Sequence, residues 1–413
     1  MPWKDQSIME SRVRFVRDYA KGLLTMRELC ATYGISRPTG YKWLGRAASG
    51  QSLADRSRAP HHCPHRTPAA LERAIVAERL RHPDWGPDKV RTILQRREPD
   101  KPWPSSTTMG AILKRHDLVQ PRRPRRRRSA GHPAAPIRAG QSNDVWSADF
   151  KGQFRMGDRQ YCYPLTVADA HSRYLIGCLG LPTTAGESAR AVFERLFGAY
   201  GLPRAILTDN GGPFACHDAL ARLSRLSVWW VRLGILPVTI APGKPQQNGK
   251  HERMHRTLKA ATTRPPGADL ADQQARFDRF RREFNHDRPH AALDQRPPTQ
   301  CYRRSPRPMP AKLDEPDYPG HFEVRRVRPD GTIKFAGRRR FLSTTLAGQW
   351  IGLEEVDDGV WSVYLDWLRI ARYRPGDGEL VGVSPASRWA APLALRAHCA
   401  AQRDQPECQP CTR

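Results

Sequence analysis

The chain has 413 residues, more than one compact core accommodates, and length alone points to roughly two to four domains. Lys and Arg number 69 against 41 Asp and Glu, a formal net charge of +28, and so large a surplus favours a polyanion, nucleic acid ahead of an anionic membrane surface. No stretch approaches the ~18 uninterrupted apolar residues of a membrane span, so no membrane partner is expected.

The opening MPWKDQSIMESRVRF lacks the apolar run of a signal peptide. Cysteine is sparse, at nine, and Cys30, Cys162, Cys178 and Cys216 stand singly in apolar segments, as reduced thiols do. A cytoplasmic protein is expected.

Residues 7–48 read as a helix-turn-helix DNA-binding unit. Ile8, Val13, Val16 and Tyr19 recur near helical spacing. Thr25 and Glu28 form a capping box for a second helix, Gly34 supplies the turn, and Ser36 caps a third. That third helix would offer Arg37, Thr39, Tyr41 and Lys42 to a major groove. A basic helical bundle is the plainer alternative. After a His- and Pro-rich linker, residues 66–120 predict a second helix-turn-helix-like DNA-binding module. Thr67 and Ser105 or Ser106 serve as caps, and Pro87 sits at a first helical turn. Residues 121–140 are an Arg-rich linker. Arg122, Arg123, Arg125, Arg126, Arg127 and Arg128 crowd eight positions and are expected to lie along phosphates or in a minor groove.

From 141 to 305 the pattern turns α/β. Three strand-like runs are followed by an amphipathic helix stopped at Gly201, a short strand ending in TDNGG, a helix over 217–234, a strand, and two helices. That is the order of a ribonuclease-H-like core, a mixed sheet flanked by helices. Residues 321–375 alternate like short strands around Asp330-Gly331, Ala336-Gly337 and Asp358-Gly359, and predict a small all-β barrel. Residues 376–413 are Ala/Pro-rich and are expected to be disordered. The fold class expected is therefore multidomain: all-α helix-turn-helix modules, an α/β core and a small β-barrel.

Three acids carry the chemistry: Asp149 in VWSADFKGQF, Asp209 in AILTDNGGPF and Glu252 in GKHERMHRTLK. The first two belong to strands that neighbour one another in such a sheet, and the third begins a helix. Carboxylates brought that close repel, and divalent cations resolve the conflict. On the helix, Asn248, Glu252, His255, Arg256 and Lys259 fall on roughly one face, expected to lie against DNA.

WSADF, TDNGGPF, PGKPQQNGKHER and the later FNHDRPHAAL with RPPT resemble the catalytic core of insertion-sequence transposases. Those enzymes belong to the DDE, or retroviral-integrase, superfamily. The resemblance covers the order of elements from about residue 10 to 375. It implies that Asp149 bridges two Mg²⁺ (or Mn²⁺) ions, with Asp209 and Glu252 each completing one site. It implies that Asn210 and Gly211 shape the turn of Asp209, and that Lys250, Arg256 and Lys259 meet transposon-end DNA. The partners implied are double-stranded DNA, as transposon ends and target, and further copies of the chain assembled on it. The reaction implied is hydrolysis at a transposon end followed by strand transfer. The 43 positions from Asp209 to Glu252 exceed the spacing usual in the family. An inactive DNA-binding regulator and a metal-dependent DNA nuclease are the alternative functions. His61, His62, Cys63 and His65 lack a second paired ligand set for zinc, and Cys408 and Cys411 are read as incidental. Asp169 is read as a turn residue or as one that hydrogen-bonds behind the acids.

Overall fold

A computed structural model of the chain describes residues 7–56, 66–119, 137–374 and 379–383. It divides into two compact units between Pro68 and Ala69. The first unit is three helices, α1 (Ile8–Ala20), α2 (Met26–Thr32) and α3 (Arg37–Ala48). Each starts on a hydroxyl. Ser7, Thr25 and Ser36 accept the backbone N–H of Glu10, Glu28 and Thr39, and the first two complete capping boxes. Gly34, at φ 63°, makes the left-handed turn into α3. Phe15, Leu29, Cys30 and Trp43 fill the small core. The helices meet so closely that a Cβ on Gly40 would stand 2.9 Å from Cys30 Sγ.

The second unit begins with α4 (Ala69–Arg81), α5 (Pro87–Arg97) and α6 (Ser106–Arg115). They close over Ile75, Trp85, Val90 and Met109. Pro87 opens α5 and Ser105 caps α6. Glu78 is buried in this bundle and answered by Arg97 at 2.7 Å and Arg81 at 3.3 Å, so its charge is not left alone.

The central sheet comprises β1 (Val145–Phe150), β2 (Phe154–Arg155), β3 (Tyr161–Asp169), β4 (Leu175–Leu181), β5 (Ala205–Thr208) and β6 (Leu236–Thr239). Its order is β2-β3-β1-β5-β6, with β4 on β3. β1 runs antiparallel to β3 and parallel to β5, which makes the sheet mixed, as predicted. Helices α7 (Gly186–Tyr200), α8 (Arg225–Arg232), α9 (Gly249–Thr262) and α10 (Leu270–His286) flank it. Trp146, Phe193, Phe197 and Trp230 pack in one cluster, and Leu175, Leu258, Phe277 and Phe280 in another. Covered on both sides, β3 is buried without a break from Pro164 to Asp169 instead of alternating.

The helix predicted over 217–234 is shorter. It begins only at Arg225, because Ala221 and Arg222 take left-handed backbones (φ 54° and 55°), Leu223 bridges to Ala215, and Ser224 caps the helix. Local hydrogen bonds to Ser224 out-compete a further helical turn.

The first α-helical module of this unit is fastened to the core. Asp84 accepts from Arg288 at 2.8 Å, and His82 Nδ1 lies 3.1 Å from Glu283 Oε1 on α10. Lys89 is drawn into this seam. Its pKa is pushed down to about 8, chiefly by burial and then by Arg288, against the pull of Asp84.

The C-terminal strands are β7 (Glu323–Arg326), β8 (Thr332–Phe335), β9 (Arg338–Phe341), β10 (Trp350–Asp357), β11 (Val360–Leu365), β12 (Leu368–Arg374) and β13 (Glu379–Gly382). The all-β character is as predicted, but the closed barrel is not what the described residues form. Five strands make an open sheet, β13-β12-β11-β10-β7, and β8 with β9 make a separate hairpin. The reason lies in what covers the apolar face. Ile351, Leu365 and Ile370 share one buried cluster with Val231 and Leu236 of the core, and Trp367 Nε1 donates to the Val231 carbonyl at 2.9 Å. A face covered by a neighbour need not be covered by closure. No helix among the described residues is long and apolar enough to cross a membrane.

Two glycines near the end of α7 should respond oppositely to alanine. Gly198 has open space where a Cβ would go, so Gly198→Ala should stabilise by about 0.5–1 kcal/mol. Gly201 has φ 77° and ψ 179°, and a Cβ there would lie 2.7 Å from the Arg307 carbonyl oxygen. Gly201→Ala should cost at least about 1–3 kcal/mol from the backbone alone. Urea denaturation of the two variants beside the parent chain checks the order.

Candidate active site

The site begins with strand register. β1 and β5 pair in parallel with Ser147 opposite Leu207. Two residues on, each chain reaches an acid, Asp149 on β1 and Asp209 just beyond β5. An even offset keeps side chains on the same face of a pleated sheet. The two acids therefore sit side by side at the ends of neighbouring strands.

Asp149 is mostly buried, its side chain 19% exposed. Its pKa is raised from 3.8 to about 7, first by burial and then by the charge of Asp209, with Glu252 adding to the push and Lys151 opposing it. Both other acids thus press on Asp149 through space. Asp209 is steadied by its own turn. Its Oδ1 accepts the Gly211 N–H at 3.1 Å, and Asn210 Nδ2 donates to the Ile240 carbonyl at 2.9 Å, tying the turn to the chain leaving β6. A Cβ on Gly211 would stand 3.2 Å from Asp209 Oδ2, so the residue's small size leaves the carboxylate room.

Glu252 is exposed in the first turn of α9, where the helix dipole favours an anion. The helix itself splits into two faces. His251, Met254, His255, Leu258 and Thr262 are buried against the sheet, while Glu252, Arg253, Arg256 and Lys259 are exposed. This corrects the expected DNA-facing stripe. Asn248 and His255 lie inward, because their neighbours Met254 and Leu258 set the buried side of the amphipathic helix. Glu252, Arg256 and Lys259 do share the outer face, and Lys250 is exposed beside them.

Behind Asp149 lies a polar cluster that sequence reading did not single out. His251 touches Ser147 Oγ through Nδ1 at 2.8 Å and Thr166 Oγ1 through Nε2 at 2.7 Å. His255 Nε2 reaches the same Thr166 Oγ1 at 2.6 Å, and its Nδ1 faces Asp149 Oδ2 at 3.6 Å. Burial holds both rings neutral, His251 pushed down to about 3 and His255 to about 2, the latter helped by His251 and Lys151. Asp149, His251 and His255 have ligand atoms within 4.8 Å of one another. Asp209 and Glu252 stand outside that tight group. The sequence carries no direct signal of the cluster, because Thr166 comes opposite Asp149 only through the β1–β3 pairing. Lys151, two positions past Asp149, was also missed.

Asp169 is fully buried and accepts from Asn143 N–H, Ser172 N–H and Ser172 Oγ at 2.6–2.8 Å, which is the turn role expected of it. In the first unit Arg37, Tyr41 and Lys42 are exposed on α3, while Thr39 is half-buried with its hydroxyl 2.9 Å from Ser36 Oγ. Arg122, Arg123, Arg125, Arg126, Arg127 and Arg128 lie outside the described residues. So do His61, His62, Cys63, His65, Cys408 and Cys411.

Residues 139–245 and 233–298 match integrase core domain families. Residues 11–61 match a helix-turn-helix domain, and residues 39–113 a homeodomain-like domain. The insertion element IS476 protein of Xanthomonas euvesicatoria is 26% identical over 253 residues, which span 60% of this chain and 70% of that one. The insertion element IS407 protein of Burkholderia multivorans is 27% identical over 180 residues, 43% of this chain and 62% of its own. A simian T-cell lymphotropic virus intasome structure aligns over 73% of this chain and 98% of its own at 17% identity and a TM-score of 0.35, too loose a likeness to bear on function. Residues 139–298 thus form an integrase core domain, in a chain similar to insertion-element proteins.

Proposed function

We propose that this protein is a DNA transposase whose Asp149, Asp209 and Glu252 hold two Mg²⁺ (or Mn²⁺) ions. The observation that carries the reading is the β1–β5 register, which sets the carboxylates of Asp149 and Asp209 side by side, and the raised pKa of the half-buried Asp149, pushed by both other acids, agrees with it. An all-carboxylate donor set under that mutual repulsion fits a hard divalent cation. Such ions, when bound, supply Lewis-acid stabilisation of charge developing on a phosphodiester.

The chain's own residues do the rest. Asp149 and Asp209 are fixed by strand register and by the Gly211 turn, and Glu252 is carried in on α9. Arg256 and Lys259 on the outer face of α9, with Lys250, meet phosphates of the transposon end. Arg253 shares that face and is suited to the same task. Arg37, Tyr41 and Lys42 read a groove from α3, with Thr39 fixing the start of that helix. The arginines from Arg122 to Arg128 add a sequence-independent grip. Hydrolysis at the transposon end frees a 3′-hydroxyl, which then attacks a target phosphodiester in line, with the target strand's own 3′-oxygen as the leaving group. Two ends must be joined, so copies of the chain assemble on DNA.

Purified protein incubated with end DNA, target plasmid and Mg²⁺ should produce joined molecules. Glu252→Gln should abolish joining while leaving end binding intact. Cleavage without joining points instead to a nuclease, and binding alone to a regulator. Lys259→Ala should weaken DNA binding uniformly across sequences and lower the salt slope by about 1, read by fluorescence anisotropy from low to high salt.

The raised pKa of Asp149 sets a pH dependence. With its carboxyl lifted from 3.8 to about 7, the metal-free fold holds a proton that the unfolded chain has already lost. Stability from this group is therefore full below pH 3.8 and lost as pH rises through about 7. Divalent cations need the carboxylate, so their binding displaces that proton and weakens below pH 7. Thermal melting across pH 5–8 with and without Mg²⁺ should show metal stabilisation growing as pH rises, and Asp149→Asn should flatten it.

A further inference from the structure

The reading of Asp149 as a metal-holding carboxylate leaves unexplained why two neutral histidines and two hydroxyls are sealed behind it. Ser147, Thr166, His251 and His255 are each at most 7% exposed. Three hydrogen bonds and one longer contact join them in a line: Ser147 Oγ to His251 Nδ1 at 2.8 Å, His251 Nε2 to Thr166 Oγ1 at 2.7 Å, Thr166 Oγ1 to His255 Nε2 at 2.6 Å, and, longer, His255 Nδ1 to Asp149 Oδ2 at 3.6 Å. The two imidazoles cross almost at right angles, at 87° with centroids 4.6 Å apart, so each aims an edge nitrogen at the same threonine oxygen.

Proton counting decides what the line can do. A neutral imidazole has one N–H and one lone pair, and a threonine hydroxyl has one proton to give. Suppose Thr166 gives its proton to the Asp149 carbonyl, which lies 3.1 Å away. Both histidines must then donate to Thr166 from Nε2. His255 is left with a bare Nδ1 lone pair against the Asp149 side chain, which repels a charged carboxylate. The opposite placement gives every ring nitrogen a complementary partner, at the expense of the longer hydroxyl contacts of Thr166 with the Asp149 carbonyl at 3.1 Å and of Ser147 with the Ala168 carbonyl at 3.3 Å. Ser147 donates to His251 Nδ1, His251 Nε2–H donates to Thr166, and Thr166 donates to His255 Nε2. His255 Nδ1–H then points at Asp149 Oδ2, a small carboxylate movement short of a hydrogen bond.

We propose that Ser147, His251 and Thr166 form a relay of hydrogen bonds that fixes His255 as its Nδ1–H tautomer, making His255 a positioning residue for the Asp149 carboxylate. Deepening the metal reading above, it assigns the buried histidines to orienting a ligand instead of ligating. Three of their four ring nitrogens are occupied by hydroxyls. Only the fourth faces the acid. A hydrogen-bonded imidazole behind a carboxylate restricts its rotation and leaves the other oxygen for the cation. Supporting partners of this kind typically alter metal affinity by about 10–100-fold when removed.

The full chain with ¹⁵N-labelled histidine tests this. Long-range ¹H–¹⁵N spectra of the Mg²⁺-loaded protein should show His255 protonated at Nδ1 and His251 at Nε2, an assignment that needs no variant of the relay. Thr166→Val should scramble the His255 tautomer and weaken Mn²⁺ binding, followed by electron paramagnetic resonance, by about 10–100-fold. Thr166→Ser should restore both. An Nε2–H tautomer at His255 in the Mg²⁺ state overturns the relay. So does Mn²⁺ affinity unchanged in a folded Thr166→Val protein but lost in Asp149→Asn. Direct Mn²⁺ coordination by either ring, seen as hyperfine coupling to its nitrogens, likewise overturns it. Equal Mn²⁺ binding by the parent chain and Asp149→Asn would instead remove the metal reading itself, and the relay with it.

Discussion

The constraint on which the site depends is the burial of one carboxylate among others. Asp149 stands on a central strand with parallel β5 on one side and antiparallel β3 on the other. It can be there only because its neighbours manage its charge. Burial and the charges of Asp209 and Glu252 push it toward the neutral form, while Lys151 pulls back. A carboxylate held in this tension is poorly stable as an anion, a common physical signature of functional carboxylates.

The rest of the second unit reads as support for that strand. Helix α9 presents an outer face of Glu252, Arg253, Arg256 and Lys259 and an inner face that buries two histidines against β1 and β3. The open C-terminal sheet packs on the core through Val231, Leu236 and Trp367, so it braces β5 and β6 from the side. The helical module of α4–α6 is clipped to α10 by the Asp84–Arg288 pair and by His82 with Glu283. Partly exposed polar pairs of this kind contribute little stability singly. Their value here is orientation, since they tie the turn between α4 and α5 to the end of α10.

Much of this was legible in the residues. The helix starts at Thr25, Ser36, Pro87 and Ser105 followed from capping chemistry. Gly34 and Gly201 marked real ends. Asp149 and Asp209 were traceable to neighbouring strands, and Asp169 to a turn. Legibility failed where two outcomes share one pattern. The stripe Asn248, Glu252, His255, Arg256 and Lys259 spans an arc wider than the solvent side of α9, and only the packing of Met254 and Leu258 shows that Asn248 and His255 turn inward. The segment before Arg225 looked helical, but Ser224 and the Leu223 bridge diverted it.

What the sequence determined by itself was local and chemical: where helices begin, where turns fall, the order of elements, and three acids in a basic chain. These follow from hydrogen bonds and periodicities acting within a few residues. What only the tertiary structure decided was which surface each element covers. The β-module stays open because the core seals its apolar face. His251 and His255 meet at Thr166 because α9 lies across two strands that are distant from it in the chain. Contacts of that range depend on the joint packing of several elements, and no local pattern encodes them.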